Sequence, residues 1–252
     1  MIKEVDDHES REHWTLIPRS EMPEGTKTIL AIWSFKRKRF PDGRVNKHKA
    51  RLCAHGGMQT WGVNYWETYS PVVNWLSVCT LMALSIIHEL ETRSIDFVLA
   101  FPQADLDVPV YMELPMGFRH HDTSQRYVLR LNKNLYGLKN ASLNFFNLLK
   151  EGLEARGYQN QSETDACVFL GKSSIVLVYV DDCIIFQKKG SNDANELIRK
   201  LQEGEEKFVF TDDGDLEKYL GVDVKRKKDG SIELTQTHLI QRILNLLEID
   251  EK

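Results

Sequence analysis

The apolar and polar positions are most sharply divided in the middle of the chain, where residues 175–187 read IVLVYVDDCIIFQ. Two β-branched runs there predict strands at residues 175–179 and 183–186. Between them stand two carboxylates, Asp181 and Asp182. No Asn-Gly or Asp-Gly signature marks a tight turn at this point. If the two runs form a hairpin, adjacent carboxylates sit at the tip of a buried sheet.

The rest of the pattern is read from the amino terminus onward. Residues 1–12 are polar and predict a frayed end. Residues 14–18 are a short apolar stretch. Residues 29–38 (ILAIWSFKRK) predict a strand that turns basic, Pro41-Asp42-Gly43 a turn, and residues 45–54 (VNKHKARLCA) the returning strand. Residues 56–70 are loop-like and carry Trp61, Tyr65, Trp66 and Tyr69. Anchoring of that loop in the core is favoured over stacking on bases. Residues 75–90 predict a buried helix, and residues 94–101 (SIDFVLAF) a buried strand that holds one acid, Asp96. A turn at 105–109, strands at 110–114 and 127–131, and a polar stretch at 119–126 with exposed His120 and His121 come next. A helix at 142–156 ends on Gly157, which suits a C-cap. Residues 168–170 and the strand from Ile175 predict a hairpin around Gly171. A charged amphipathic helix is predicted at 194–207, and strands at 208–211 and 218–225. Asp229-Gly230 predicts a hairpin turn between 222–227 and 232–235, and residues 238–247 begin a last helix. The order makes an α+β fold with the acids meeting on one antiparallel sheet.

At 252 residues the chain is long enough for one large domain or two small ones. A formal net charge of −4 does not by itself announce nucleic-acid binding, so the distribution of charge matters more. Eight Lys or Arg residues and a single acid, Asp42, lie between Lys36 and Arg51. On a strand, Lys47, Lys49 and Arg51 share one face. Such a strip suits a triphosphate or a nucleic-acid backbone; it equally suits a solvated edge whose charge blocks aggregation. Cys53, Cys79, Cys167 and Cys183 form no CxxC pair and read as free thiols of an intracellular protein. Neither a transmembrane stretch nor a signal peptide is visible, so no membrane partner is expected. The chain closes on LLEIDEK soon after a helical pattern begins, which predicts truncation.

Two like charges about 4 Å apart repel by roughly 4 kcal/mol at an effective dielectric near 20. A fold keeps such a pair close by binding a cation, by sharing a proton, or by pointing the two apart into water. Magnesium suits the first arrangement, because it takes carboxylate oxygens and leaves positions for substrate phosphates. Asp96 is the candidate third ligand, since an acid in an apolar strand is costly unless paired or metal-bound. The plainer readings are that Asp181 and Asp182 are turn residues and that Asp96 caps the next element.

At this point the chain resembles a known family. YVDD at residues 179–182 resembles the metal-binding motif of reverse transcriptases. KHKARLCAHG (47–56), ETYSPVV (67–73), VYMELPMGF (110–118), LYGLKNA (135–141), DACVF (165–169) and KYLGVDV (218–224) resemble, in order, motifs of the polymerase of Ty1/copia-type retrotransposons. The resemblance covers residue 14 to the end. It implies a right-hand polymerase, with fingers at about 14–92 and 110–140 and a palm with an antiparallel sheet at about 93–109 and 141–215. A primer-grip hairpin and the start of a truncated thumb would occupy about 216–252, behind a disordered or linker segment at 1–13.

The same resemblance implies an RNA-directed DNA polymerase that adds deoxynucleotides to a primer on an RNA or DNA template. Asp96, Asp181 and Asp182, with the main-chain carbonyl of Phe97, would hold two magnesium ions, with manganese as a substitute. Lys49 and Arg51 would grip the incoming triphosphate. Phe101 would crowd a ribose 2′-hydroxyl, although plain core packing explains it as well. Gly137, Lys139 and Tyr179 would line the nucleotide, and Lys36 and Lys47 would meet nucleic acid. His55, Gly57, Ser142 and PQAD at 102–105 depart from the family pattern without removing a metal ligand. RNase H and integrase regions of a parent polyprotein are further implied partners, and a virus-like particle in the cytoplasm, or the nucleus, the implied location. The rival expectation is an inactive remnant of a retroelement that binds nucleic acid through its basic arm.

Overall fold

A computed structural model describes residues 1–39, 44–118, 124–161, 164–203, 207–247 and 249. The expected turn at Pro41-Asp42-Gly43 and the residues His120 and His121 lie outside the described residues. The elements are α1 (Ile2–Glu9), β1 (Trp14–Pro18), β2 (Ala31–Arg39), β3 (Val45–Ala54), α2 (Trp75–Ile87), β4 (Leu90–Phe97), α3 (Ala100–Gln103), β5 (Asp105–Glu113), β6 (Tyr127–Lys133) and α4 (Ala141–Glu154). They continue with β7 (Val168–Leu170), β8 (Ser174–Tyr179), β9 (Asp182–Lys188), α5 (Asp193–Gln202), β10 (Phe210–Gly214), β11 (Lys218–Tyr219), β12 (Val222–Arg226), β13 (Ile232–Thr235) and α6 (Thr237–Leu246). This is a mixed fold of helices and antiparallel sheets. Two compact units divide it: Met1–Pro71 with Leu99–Glu151, and Val72–Val98 with Gly152–Lys252.

In the first unit β6 runs between β1 and β5, and β2 pairs with β3 as a two-stranded ribbon. Leu52, Met112, Leu129 and Leu135 are fully buried at its centre, with Trp14, Ile29 and Val110 around them. Each buried side chain of this size contributes about 2 kcal/mol. The amino-terminal segment expected to fray is instead helical and packed. Val5 and His8 are three residues apart, so both fall on one face of α1, and both are buried. The His8 ring stacks on Trp14 with centroids 5.0 Å apart, and its Nδ1 lies 2.7 Å from His13 Nδ1. Glu4 accepts the Leu52 amide at 3.2 Å, which fastens α1 to the root of β3. Burial, then the charge of Arg11, pulls the His8 imidazole down to about 4; burial, then His8, Arg11 and Lys133, does the same to His13.

The aromatic loop also departs from expectation. Trp61, Trp66 and Tyr69 are 69%, 52% and 73% exposed, so they do not anchor the loop in the core. The loop is held by its own polar groups: Gly62 N–H to Tyr65 O, Asn64 N–H to Thr60 O, Trp61 Nε1–H to Trp66 O, and the Thr68 and Tyr69 amides to the Glu67 carboxylate. The strand expected to run to Phe101 stops at Phe97, because Leu99 takes a left-handed conformation (φ 50°) and starts the short helix α3.

In the second unit β10, β4, β9, β8 and β7 form one antiparallel sheet. Ile95, Phe169, Leu177, Ile184, Ile185 and Phe186 are all but inaccessible, as the apolar runs predict. Helix α2 begins at Asn74, whose side chain accepts the Leu76 amide. Asp165 clamps this region, since its carboxylate accepts the amides of Asn74 and Cys167, each at 2.9 Å. Gly157 (φ 83°) follows α4 as the expected cap, and the Tyr158 amide closes onto Leu153 O. The segment expected as one strand, 218–225, is a tight hairpin. Leu220 and Gly221 both take positive φ, so β11 folds back on β12 with Tyr219 opposite Val222. The Asp229-Gly230 turn joins β12 to β13 as predicted. All four cysteines are free, with Cys167 and Cys183 buried. Among the described residues no helix is long and apolar enough to cross a membrane.

Candidate active site

The β8–β9 connection is a two-residue turn, Val180 and Asp181, with Tyr179 paired to Asp182. Val180 sits at φ 52°, a conformation that β-branched residues rarely adopt. The turn holds because Asp181 O accepts the Phe97 amide at 2.8 Å, which extends the β4–β9 ladder past its last paired residues. In that ladder Asp96 lies directly opposite Asp182, and Thr211 of β10 lies opposite Asp96. Direct partners share a face, so Tyr179, Asp182, Asp96 and Thr211 line one face at one end of the sheet.

Asp181 and Asp182 are half-buried, and Asp96 is exposed. The cost of burying an acid inside a strand therefore does not apply to Asp96, which stands where β4 is about to end. Burial, then the charges of Asp181, Asp96 and Asp213, pushes the Asp182 carboxyl up to about 6. Among the described residues no three acidic, histidine or cysteine side chains converge closely enough to hold an ion by themselves. The donor set still fits magnesium, which needs only one or two carboxylates and completes its shell with water and substrate phosphates. The like-charge strain on Asp182 is of the kind a divalent cation relieves.

The Tyr179 ring meets the Tyr219 ring edge-on, with centroids 6.5 Å apart. The Tyr219 hydroxyl is buried without a hydrogen-bond partner among the described residues, and burial drives its pKa upward. Nearby, Arg93 forms a bidentate pair with Asp212.

The first unit holds the cations. Register in the ribbon pairs Lys36 with Lys49, Lys38 with Lys47 and Ser34 with Arg51. Lys36, Lys38, Lys47, Lys49 and Arg51 therefore share one face, the three residues expected from alternation plus two from the partner strand. Burial, then Arg51 and Lys38, lowers the Lys49 pKa, opposed by Glu4. No ion pair engages these five among the described residues.

Other expected residues of this unit are tied down by close packing. Gly137 (φ 93°) has room for no Cβ, which would meet Ala54 O at 2.2 Å; a Cβ on Gly56 would meet Gly137 O at 2.1 Å. The Ala54 amide donates to Tyr136 O at 2.8 Å. Lys139 is held twice: its amide donates to Gln59 Oε1 at 2.7 Å, and its ammonium to the Tyr65 hydroxyl at 2.9 Å. Phe101 is half-buried against Tyr136, with ring centroids 4.8 Å apart. Sequence reasoning passed over Tyr136 and Gln59. Their place inside or beside the matched motifs was visible, but their contacts were not. Asp96, Asp181, Asp182, Phe97 and Tyr179 thus lie in the second unit, and Lys36, Lys47, Lys49, Arg51, Phe101, Gly137 and Lys139 in the first.

Comparison with known proteins adds an independent observation. Residues 11–252 match the family described as reverse transcriptase (RNA-dependent DNA polymerase). The chain is 36% identical over 241 residues to the retrovirus-related Pol polyprotein from transposon RE1 of Arabidopsis thaliana, covering 93% of this chain and 15% of that protein. It is 33% identical over 232 residues to the corresponding polyprotein from transposon TNT 1-94 of Nicotiana tabacum, covering 89% and 17%. The Ty1-DR1 Gag-Pol polyprotein of Saccharomyces cerevisiae is 25% identical over 211 residues, covering 82% and 12%. The chain thus spans about a sixth of the length of the plant relatives it matches.

Proposed function

The chain belongs to the reverse transcriptase family, among Ty1/copia-type Pol polyproteins, and from that membership we propose that it is an RNA-directed DNA polymerase domain that extends a primer with deoxynucleotides. The observation that carries the site is Asp96 opposite Asp182, with Asp181 at the adjoining turn. In this reading the five-stranded sheet is the palm and the β2–β3 ribbon belongs to the fingers. Asp96, Asp181 and Asp182, with the Phe97 carbonyl, hold two magnesium ions. Bound there, magnesium supplies Lewis-acid activation of the primer 3′-hydroxyl and charge neutralisation at the leaving pyrophosphate.

The protein's own share is positioning and electrostatics. Lys49 and Arg51 bind the triphosphate, and Phe101 excludes a 2′-hydroxyl. Gly137 admits backbone close to the nucleotide, with Lys139 and Tyr179 beside it. Lys36 and Lys47 neutralise template or primer phosphates. RNase H and integrase functions belong, in this proposal, to other regions of a parent polyprotein, which acts in a cytoplasmic particle or in the nucleus.

The test is primer extension on poly(rA)–oligo(dT) with magnesium, comparing the protein with Asp181→Asn and Asp182→Asn. Each substitution should lower incorporation by at least about a hundredfold while the protein stays folded. Full activity in either variant overturns the site.

The five cations that no ion pair engages among the described residues favour one second reading, a nucleic-acid-binding remnant that no longer synthesises. It requires salt-sensitive binding to primer–template with no incorporation by the unaltered chain.

A further inference from the structure

Arg51 differs from the four lysines on its face in one respect. Its guanidinium carbon lies 3.9 Å from the centroid of the Tyr136 ring. The same ring meets Phe101, 4.8 Å away at an interplanar angle of 48°, which in turn meets the buried Phe145 edge-on at 6.5 Å. Arg51, Tyr136 and Phe101 are each half-buried, so each keeps some access to solvent. The backbone under it is rigid. Tyr136 O accepts the Ala54 amide, and the next residue, Gly137, is wedged between Ala54 and Gly56. Tyr136 is therefore fixed to the root of the strand that carries Arg51, three residues away.

We propose that Tyr136 is a positioning residue that holds the Arg51 guanidinium for the polyphosphate of an incoming nucleoside triphosphate. The inference rests on the polymerase reading and deepens it. A guanidinium covered on one face by an aromatic ring keeps its in-plane N–H fork for bidentate contact with phosphate oxygens. The ring also removes much of the rotamer freedom that a long arginine side chain otherwise loses on binding. Because the same ring abuts Phe101, Tyr136 links the cation to the aromatic expected on the sugar side. Among the described residues the lysines of this face have no such aromatic support and act as point charges.

Two measurements test this: equilibrium binding of dTTP to the protein on poly(rA)–oligo(dT) with calcium in place of magnesium, and KM and kcat for dTTP in extension with magnesium. Tyr136→Leu should weaken dTTP binding and raise KM about tenfold with kcat within about threefold, whereas Tyr136→Phe stays within about twofold of the unaltered protein. Arg51→Lys should match Tyr136→Leu, and the double variant should be no weaker than Arg51→Lys alone. Unchanged affinity in Tyr136→Leu, or additive losses in the double variant, overturns the proposal. Should Tyr136→Leu fail to fold, unchanged affinity in Arg51→Lys overturns it equally. A protein that binds dTTP but extends no primer fails the polymerase reading alone, and the binding series then decides. Absence of dTTP and of tripolyphosphate binding overturns the phosphate grip itself.

Discussion

Asp182 stands directly opposite Asp96 in the β9–β4 ladder, and both carboxylates leave the same face of the sheet. Burial first, and then the charges of Asp181, Asp96 and Asp213, make the ionised Asp182 carboxylate costly in the folded chain at neutral pH. Asp182→Asn in a chelator at pH 8 should therefore stabilise the protein, by about 1 kcal/mol after allowance for solvent screening. Magnesium should raise the melting temperature of the unaltered protein more than that of Asp182→Asn. Equal shifts in the two would place the bound ion elsewhere.

The His8–His13 pair makes stability fall in mild acid. Both imidazoles are held near 4, below their ordinary 6.5, so the unfolded chain takes up protons first. The stability is complete above pH 6.5, drains as pH falls toward 4, and amounts to about 3 kcal/mol for the coupled pair. Urea unfolding at pH 7.5 and pH 5 should show the loss, and a His8→Leu, His13→Leu double variant should flatten it.

Close backbone packing at Gly56 and Gly137 leaves no place for a methyl group. Gly56→Ala and Gly137→Ala should each cost about 2–4 kcal/mol, whereas Gly190→Ala, with positive φ but open space around it, should cost about 1 kcal/mol. Chemical unfolding of the three variants checks the order.

Val180 pays a conformational penalty at φ 52° that glycine does not. Val180→Gly should leave the hairpin intact and raise the unfolding free energy by about 0.5–1 kcal/mol. A decrease would mean that packing of the valine side chain outweighs its strain.

On the cationic ribbon, Lys38 and Lys47 face each other across the strands. Lys47→Gln should stabilise slightly, by about 0.3 kcal/mol, since it removes a like-charge pair. It should also weaken primer–template binding and reduce the slope of log affinity against log salt by about 0.7–0.9. Fluorescence anisotropy at several salt concentrations reads both the loss and the slope.

Strand and helix placement in the second unit was largely legible in the chain, because its apolar runs are buried on both sides of the sheet and periodicity reports burial directly. The basic face of the exposed ribbon was legible for a different reason, since alternation alone puts Lys47, Lys49 and Arg51 together. Other features were not. A helix as short as α1 offers too few residues for a periodic signal, and its packing depends on His13 and Trp14 beyond its end. The exposed rings of Trp61, Trp66 and Tyr69 defeat the rule that aromatics go inside, because local hydrogen bonds already hold their loop. Leu220 hides a tight turn behind a residue type that seldom makes one.

By itself the sequence determined the strands, the acidic pair, the basic strip and, through its ordered motifs, the family. Those are properties of residue type and spacing, which neighbours along the chain carry with them. Only the tertiary structure decided that Asp96 faces Asp182, that Asp182 bears the strain of the cluster, and that the Tyr136 ring meets both Arg51 and Phe101. These depend on strand register and on backbone approach between segments 35 to 86 residues apart, where a shift of one residue would turn each side chain to the other face.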